Sequence, residues 1–287
     1  MSDPFVQHRS LLFTVAYEML GTAADAEDVV QETWLRWAGA SQAEVTDPRA
    51  YLVRIVTRLS LNRFRKLARQ REDYVGAWLP EPLLTGPDVA RDAELADDIS
   101  IAMLTVLETL GPTERAVFVL REVFELPYGE IAEAVGKTQG SVRQIAHRAR
   151  DHVAARRPRM RVSQVQQQAA VEKFLAALSS GDLRGLMDVL APDVVLISDG
   201  GGMVPTIRTP LAGASKVVRL LGRAARLPGF AATTAWLNGM PGIWIDVGGD
   251  RTVLSLLVEN DRITRIYAIR NPLKLSRLDR EAQLSRG

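Results

Sequence analysis

The densest run of side chains able to donate to nucleic-acid edges and phosphates lies between Lys137 and Arg150. Lys137, Thr138, Gln139, Ser141, Arg143, Gln144, His147 and Arg148 alternate there with Val142, Ile145, Ala146 and Ala149 at helical spacing. Upstream, Pro127 can open a short helix whose apolar edge is Ile131, Ala132 and Val135, and Gly136 can take the left-handed backbone of a tight turn. Counted from Tyr128, a small residue stands fifth (Ala132), a glycine ninth (Gly136), and apolar residues fifteenth and eighteenth (Val142, Ile145). That spacing lets two helices cross closely and seats the second on the first, as in a helix-turn-helix. An ordinary helical hairpin with a solvated basic face would need only some of these placements.

A second basic set runs along one long helix. Arg54, Arg58, Asn62, Arg65 and Arg69 recur at three- and four-residue steps, broadened by Arg63, Lys66 and Arg71. Like charges so placed repel, which points to an anionic partner. Tyr51 and Phe64 either stack on an opened strand or belong to the core. A third set is acidic: Asp25, Glu27, Asp28, Gln31 and Glu32 surround Val29, Val30, Trp34 and Trp37. These acids either face a protein partner or complement the helix dipole.

The bulk composition narrows the classes. A length of 287 residues implies two or three compact units, and 47% hydrophobic residues is ordinary for a globular chain. No apolar run is long enough for a membrane span, and the start MSDPFVQHRS lacks the pattern of an export signal, so a cytoplasmic location is expected. With no cysteine and only His8, His147 and His152, neither disulfides nor a zinc site are expected, and no cofactor motif is present. Net charge is only +2, but bases gather at 54–71 and 143–161 and acids at 25–32 and 88–98. The segregation implies two nucleic-acid faces and one acidic protein-binding face.

Helices must carry these sets. Residues 5–20 place Leu11, Leu12, Val15, Ala16, Met19 and Leu20 on one face and stop at Gly21, after which Thr22 with Asp25 reads as a variant capping box. Asp47-Pro48 starts the long basic helix, which buries Leu52, Ile55, Val56 and Leu59. Pro80, Pro82, Gly86 and Pro87 mark a linker, yet Trp78, Leu79, Leu83 and Leu84 are too apolar for a solvated tether and should dock on a neighbouring surface. Helices resume over 99–109 and 113–124, broken at Gly111-Pro112 with Thr113 as cap. Beyond residue 161, helices are expected over 165–178, with Ala169, Phe174 and Leu178 inward, then over 182–190 and 213–225. Strand chemistry appears in VVLISDGGGMVPTIRTPL and from TTAWLN to the end of YAIRN, with turns at Gly248-Gly249-Asp250 and Asn260-Asp261. Helices before a strand meander imply an α+β domain on a curved sheet.

On these residues the chain resembles bacterial extracytoplasmic-function sigma factors. DAEDVVQETWLRW is similar to the part of the first family domain that docks on core RNA polymerase. The basic helix from Asp47 to Arg71 resembles the region that opens and reads the minus-ten promoter element, and LGPTERAVFVLREVFELPYGEIAEAVGKTQGSVRQIAHRAR the domain that reads the minus-thirty-five element. WLPEPL (Trp78, Leu79, Pro80, Glu81, Pro82, Leu83), DGGG (Asp199, Gly200, Gly201, Gly202) and NPLKL (Asn271, Pro272, Leu273, Lys274, Leu275) resemble signatures of the subgroup with a fused SnoaL-like C-terminal domain. Where that subgroup carries lysine after DGGG this chain has Met203, and where it carries an acid Leu273 stands.

The resemblance implies a multidomain chain: two all-α sigma domains, the second with the helix-turn-helix, then an α+β cone-shaped domain. The expected boundaries are 1–73, a linker over 74–96, 97–160 and 161–287. It assigns polymerase binding to Asp25, Glu27, Asp28, Gln31, Glu32 and Trp34, minus-ten DNA to Arg54, Arg58, Asn62, Arg65 and Arg69, and minus-thirty-five DNA to Lys137, Gln139, Ser141, Arg143, Gln144, His147 and Arg148. The C-terminal domain would regulate in cis, with the linker signature and the two C-terminal signatures as its interdomain contacts, so that a separate anti-sigma protein is not necessarily required. No catalytic residue is assigned. Two rivals remain open: a stand-alone DNA-binding regulator sensing a small-molecule ligand, and a C-terminal domain with enzymatic activity using Asp199 as acid or base.

Overall fold

The computed structural model describes residues 3–157 and 162–286, apart from the side chains at 69, 70, 72 and 90. The expected boundary at 160/161 lies outside the described residues. In chain order the helices are α1 (Pro4–Leu20), α2 (Ala23–Ala38), α3 (Pro48–Glu72), α4 (Pro87–Arg91), α5 (Ala93–Asp98), α6 (Ile101–Leu107), α7 (Pro112–Phe118), α8 (Tyr128–Val135), α9 (Gln139–Ala154), α10 (Gln164–Ser180), α11 (Leu183–Val189), α12 (Ala214–Ala224) and α13 (Pro272–Leu275). The strands are β1 (Leu190–Asp199), β2 (Leu211–Ala212), β3 (Phe230–Leu237), β4 (Met240–Val247), β5 (Asp250–Glu259) and β6 (Arg262–Ile269). They form two compact units.

The first unit is helical and comprises residues 1–73, 104–157 and 283–287. Local signals fix its helix ends. The Asp3 carboxylate accepts the Phe5 N–H at 2.8 Å ahead of Pro4, and Asp47 accepts the Ala50 N–H at 3.0 Å ahead of Pro48. Gly21 ends α1 at φ 72, where a side chain would strain the backbone. Two expectations are corrected. The Thr22 hydroxyl makes no backbone cap and donates instead to Asp25 Oδ2 at 2.5 Å, because that carboxylate is also gripped by Arg63. Gly111, not Thr113, caps α7: Pro112 takes the first helical position, and Glu114 accepts the Gly111 N–H at 3.3 Å. A single π turn, Val119–Val123, then joins α7 to the helix-turn-helix.

The second unit comprises residues 74–103 and 158–282 and contains a six-stranded sheet in the order β2-β1-β6-β5-β4-β3. Only the β1–β6 pair is parallel; the rest is an antiparallel meander. The sheet is apolar on both faces, as alternate residues show. One face presents Leu196, Ile243, Leu254, Leu256 and Ile266 to Val171, Phe174 and Leu178 of α10 and to Val217 and Leu221 of α12. Ala169 stays half-buried, and Ala170 and Val171 take the inward positions. The opposite face presents Ile197, Leu237, Val253, Leu257, Tyr267 and Ile269 to the linker and the C-terminal segment. Helices alone do not cover this domain: Leu79 and Leu84, with Leu275 and Leu278, cover its second face. Burying the larger of these side chains contributes about 1.5–3 kcal/mol each.

Candidate nucleic-acid interface and linker dock

In the first unit, α8 and α9 form the helix-turn-helix. Gly136 turns the chain at φ 67, and the Thr138 hydroxyl accepts the Ser141 N–H at 3.2 Å to start α9. Val142, Ile145, Ala146 and Ala149 are buried, so their helical period turns Lys137, Gln139, Ser141, Arg143, Gln144, His147 and Arg148 outward, all of them exposed. The Arg121 and Arg143 guanidinium groups lie 4.7 and 5.6 Å from the Tyr128 ring centroid, tying the α9 N-terminus to α8. His147 Nδ1 lies 2.9 Å from Asp151.

The α3 stripe is divided. Asn62 and Arg65 are exposed, and Arg65 donates to Asn62 Oδ1 at 3.4 Å. Arg54 reaches the Glu133 carboxylate of α8 at 3.3 Å, and Arg58 donates to the Glu133 carbonyl at 2.9 Å. The Arg69 backbone lies in α3; its side chain is outside the described set. Phe64 belongs to the core at 6% exposure, with the Arg71 and Arg115 guanidinium groups over its ring. Tyr51 packs on Trp37 with Arg54 over its ring. Phe64→Ala should therefore destabilise the first unit by about 3–5 kcal/mol, whereas Phe64→Leu should leave promoter binding within about twofold. Urea melts and a gel-shift titration check both values, and a binding defect in a stably folded Phe64→Leu protein would make Phe64 a base reader.

The acidic set on α2 is also divided. Asp25 is buried and accepts Arg63 Nε at 2.6 Å, while Asp28 meets Arg63 at 3.2 Å. Glu27 pairs with Arg9 and Glu32 with Arg36, both at 2.7 Å near the surface. Gln31 is exposed and Trp34 is 44% exposed, a large apolar ring beside acids. Deeper in the same unit, Glu108 holds both Arg71 and Arg115. Arg71 also donates to the Leu20 carbonyl at 2.6 Å, and Arg115 to that of Glu18 at 2.7 Å. Burial pulls the Arg71 pKa down, and the neighbouring Glu108 carboxylate opposes that shift.

In the second unit a buried polar cluster binds the linker. Asp199, at the end of β1, is fully buried, and both of its oxygens are occupied. Oδ1 accepts the Tyr74 hydroxyl at 2.6 Å and the Gly201 N–H at 3.0 Å; Oδ2 accepts the Leu79 N–H at 2.9 Å and Lys274 Nζ at 2.7 Å. Lys274 Nζ also donates to the Leu79 carbonyl and lies 4.0 Å from the Trp78 ring centroid. Asn271 caps α13 through the Leu273 N–H and donates to the Tyr74 hydroxyl at 2.9 Å. Burial, reinforced by the Asp199 bond, raises the Tyr74 pKa well above its usual value.

Gly201, at φ 61, leaves no room for a Cβ, which would stand 2.4 Å from Asn271 Nδ2. Gly200 is equally tight, with the Val204 carbonyl oxygen 2.7 Å from such a Cβ, and a Cβ on Gly202 would press on Val75. Leu275 joins Leu79 in the apolar cluster, and Pro272 opens α13. Pro80, Glu81, Pro82 and Leu83 are buried as the linker continues.

Besides Tyr74, which bonds Asp199, the residue missed from the sequence is Asn238. It is fully buried; its Oδ1 accepts the Leu83 N–H at 2.9 Å and its Nδ2 donates to the Ile99 carbonyl at 2.8 Å. Asn238-Gly239, at φ 53 and 71, is the turn between β3 and β4, so an Asn-Gly pair flanked by apolar runs was the available signal. Met203 and Leu273, at 50% and 71% exposure, stand outside the cluster, whose charges are Asp199 and Lys274. An aspartate with both oxygens saturated offers no lone pair aimed at a substrate. Among the described residues, no group of three or more His, Cys, Asp or Glu could hold a metal ion, and no helix is long and apolar enough to cross a membrane.

Comparison with known proteins places these units. Residues 5–70 match the family Sigma-70 region 2, and residues 100–153 match Sigma-70, region 4. The chain is 38% identical to ECF RNA polymerase sigma factor SigJ of Mycobacterium tuberculosis, over 93% of this chain and 91% of that protein. It is 33% identical to the protein named "Probable ECF RNA polymerase sigma factor SigI" from the same species, over 96% and 94% of the two chains. The crystal structure of M. tuberculosis SigJ superposes with a TM-score of 0.75 at 33% identity, covering 95% of this chain and 97% of that one. Two helical sigma regions followed by an α+β domain, colinear with a relative along nearly its whole length, make this chain a member of the extracytoplasmic-function family of RNA polymerase sigma factors.

Proposed function

We propose that the protein directs core RNA polymerase to specific promoters, in the cytoplasm and without a reaction of its own, and that its C-terminal domain regulates it in cis. The single observation that carries the reading is one chain holding an outward α9 face of base and phosphate donors, an arginine stripe on α3 and an acidic, tryptophan-bearing α2. A stand-alone duplex reader has no use for the last two. In this reading Gln31, Glu32 and Trp34 lead the contact with polymerase. Asp25 acts through Arg63. Asn62, Arg65 and Arg69 meet the opened minus-ten strand, joined by Arg54 and Arg58 once these leave Glu133. The α9 set docks in the minus-thirty-five major groove.

Regulation follows from connectivity. Elements some 25 base pairs apart span roughly 85 Å of duplex. Segment 74–103 joins the two sigma regions and could reach roughly 100 Å when extended, but it is folded onto the C-terminal unit. Docking therefore limits how far regions 2 and 4 can separate.

Multi-round transcription with core polymerase and a randomised promoter library tests the assignment. Gln144→Ala should relax choice at one base position by about 1–3 kcal/mol, and Arg148→Ala should weaken all sites and lower the salt slope by about one. Unchanged selection in Gln144→Ala together with unchanged affinity in Arg148→Ala would remove α9 from the promoter.

A further inference from the structure

The C-terminal unit carries a basic groove that none of these roles uses. It lies between α11 and α12 and has a volume of about 670 Å³. Its floor is apolar: Leu183 and Met187 of α11 are each 39% exposed, and Val218 of α12 lies beneath them. Its rim is Arg184 from α11, Arg219 and Arg223 one turn apart on α12, and Arg226 just past the α12 C-terminus. All four arginines are exposed, and among the described residues no carboxylate pairs with any of them or lines the groove. Gly222 of α12 faces Leu183 of α11 across the groove: a Cβ there would stand 2.5 Å from Leu183 Cδ2 and push that side chain aside.

We propose that this groove docks an acidic amphipathic helix of a partner protein. Two features select that occupant. Arg219 and Arg223, about 6 Å apart along the α12 axis, and Arg226 just past its end spread their charge over more than one helical turn, a span matched by acids at i, i+4 and i+7 and not by one anionic headgroup. The exposed leucine and methionine between the arginines need apolar side chains to cover them, which a nucleic-acid backbone lacks, and methionine adapts to the shape of an incoming helix. Arginines one turn apart repel until acids arrive, so charge and apolar surface are satisfied together. The inference stands on the surface of this unit alone and survives if the promoter assignment fails.

The test is fluorescence anisotropy with the full chain and a labelled helical peptide of about 18 residues, leucine on one face and glutamate at i, i+4 and i+7 beside it. Saturable binding is expected, weakened at least about tenfold by Arg219→Glu/Arg223→Glu and by Arg226→Glu, which lies outside the helix and spares its fold. Replacing the peptide leucines with serine should cost as much. Equal binding by the serine peptide, unchanged affinity in correctly folded variants, or no anisotropy change up to about 0.2 mM would overturn the proposal. So would displacement of the peptide by duplex DNA or oleate, and so would a concentration-dependent dimer of the chain lost in Arg219→Glu/Arg223→Glu, each assigning the groove to another occupant.

Discussion

Asp199→Asn should lower the stability of the C-terminal unit by about 3–5 kcal/mol, because it strands the Lys274 ammonium in a site where that side chain is 8% exposed. Lys274→Met should cost nearly as much by leaving the fully buried Asp199 carboxylate without its counter-ion. The double variant removes both charges and should recover a large part of the loss, since a buried pair replaced together is far cheaper than one partner removed. At about 2–4 °C per kcal/mol, each single change lowers the melting temperature of this unit by about 10 °C. The cluster also fixes the Leu79 N–H and carbonyl, so the linker should loosen before the sheet does. Chymotryptic cleavage at Trp78–Leu79 should accelerate at least about tenfold in the single variants and return towards wild type in the double one. If the linker dock controls promoter output, Asp199→Asn shifts transcript yield in the same direction as ending the chain near Arg161. An Asp199→Asn protein that melts and is cleaved like wild type would remove the dock.

What was legible in the sequence was the local part. Asp47-Pro48, Gly21 and Gly136 place helix ends through interactions within a few residues, and the period of Val142, Ile145, Ala146 and Ala149 orients α9. The α+β class followed from turn pairs between apolar runs. What was not legible depends on chain-distant partners. Phe64 has the same spacing whether it stacks on a base or lies under Arg71 and Arg115, and only the packing of the first unit decides. Thr22 and Asp25 fit a capping box until Arg63, from α3, takes the carboxylate. The full bonding of Asp199 needs Tyr74, Leu79 and Lys274 to converge across long stretches of chain. An alternating strand pattern says only that a face is apolar; the apolar linker, expected to dock, is the part of its cover that was legible.

Glu108→Gln should open the helical unit and strengthen binding to core polymerase. The contacts between the two sigma regions are of unequal weight. Arg54–Glu133 is solvent-exposed on both sides, so an exposed pair of this kind contributes little, about 0–1 kcal/mol. Glu108 is different: its side chain is 16% exposed, and it neutralises Arg71 at the end of α3 and Arg115 on α7, which are 17% and 1% exposed. Removing its charge takes the shared carboxylate from the fully buried Arg115 and the partly buried Arg71, which keeps Asp25 as a more distant counter-charge, at a cost of about 3–5 kcal/mol to the closed arrangement. Once the regions part, water solvates both arginines, so the open form does not bear that cost. The equilibrium then shifts by roughly 150- to 5,000-fold, and apparent affinity for core rises until the open form dominates. The absence of native cysteine allows Ala38→Cys and Ala154→Cys spin labels, both at exposed positions, to report the distance. A longer population should appear in Glu108→Gln and not in Glu133→Gln. If Glu108→Gln simply unfolds the unit, circular dichroism falls with the distance change; an unchanged distance distribution and unchanged core affinity in the folded variant would make Glu108 a packing residue and leave the closure to apolar contacts.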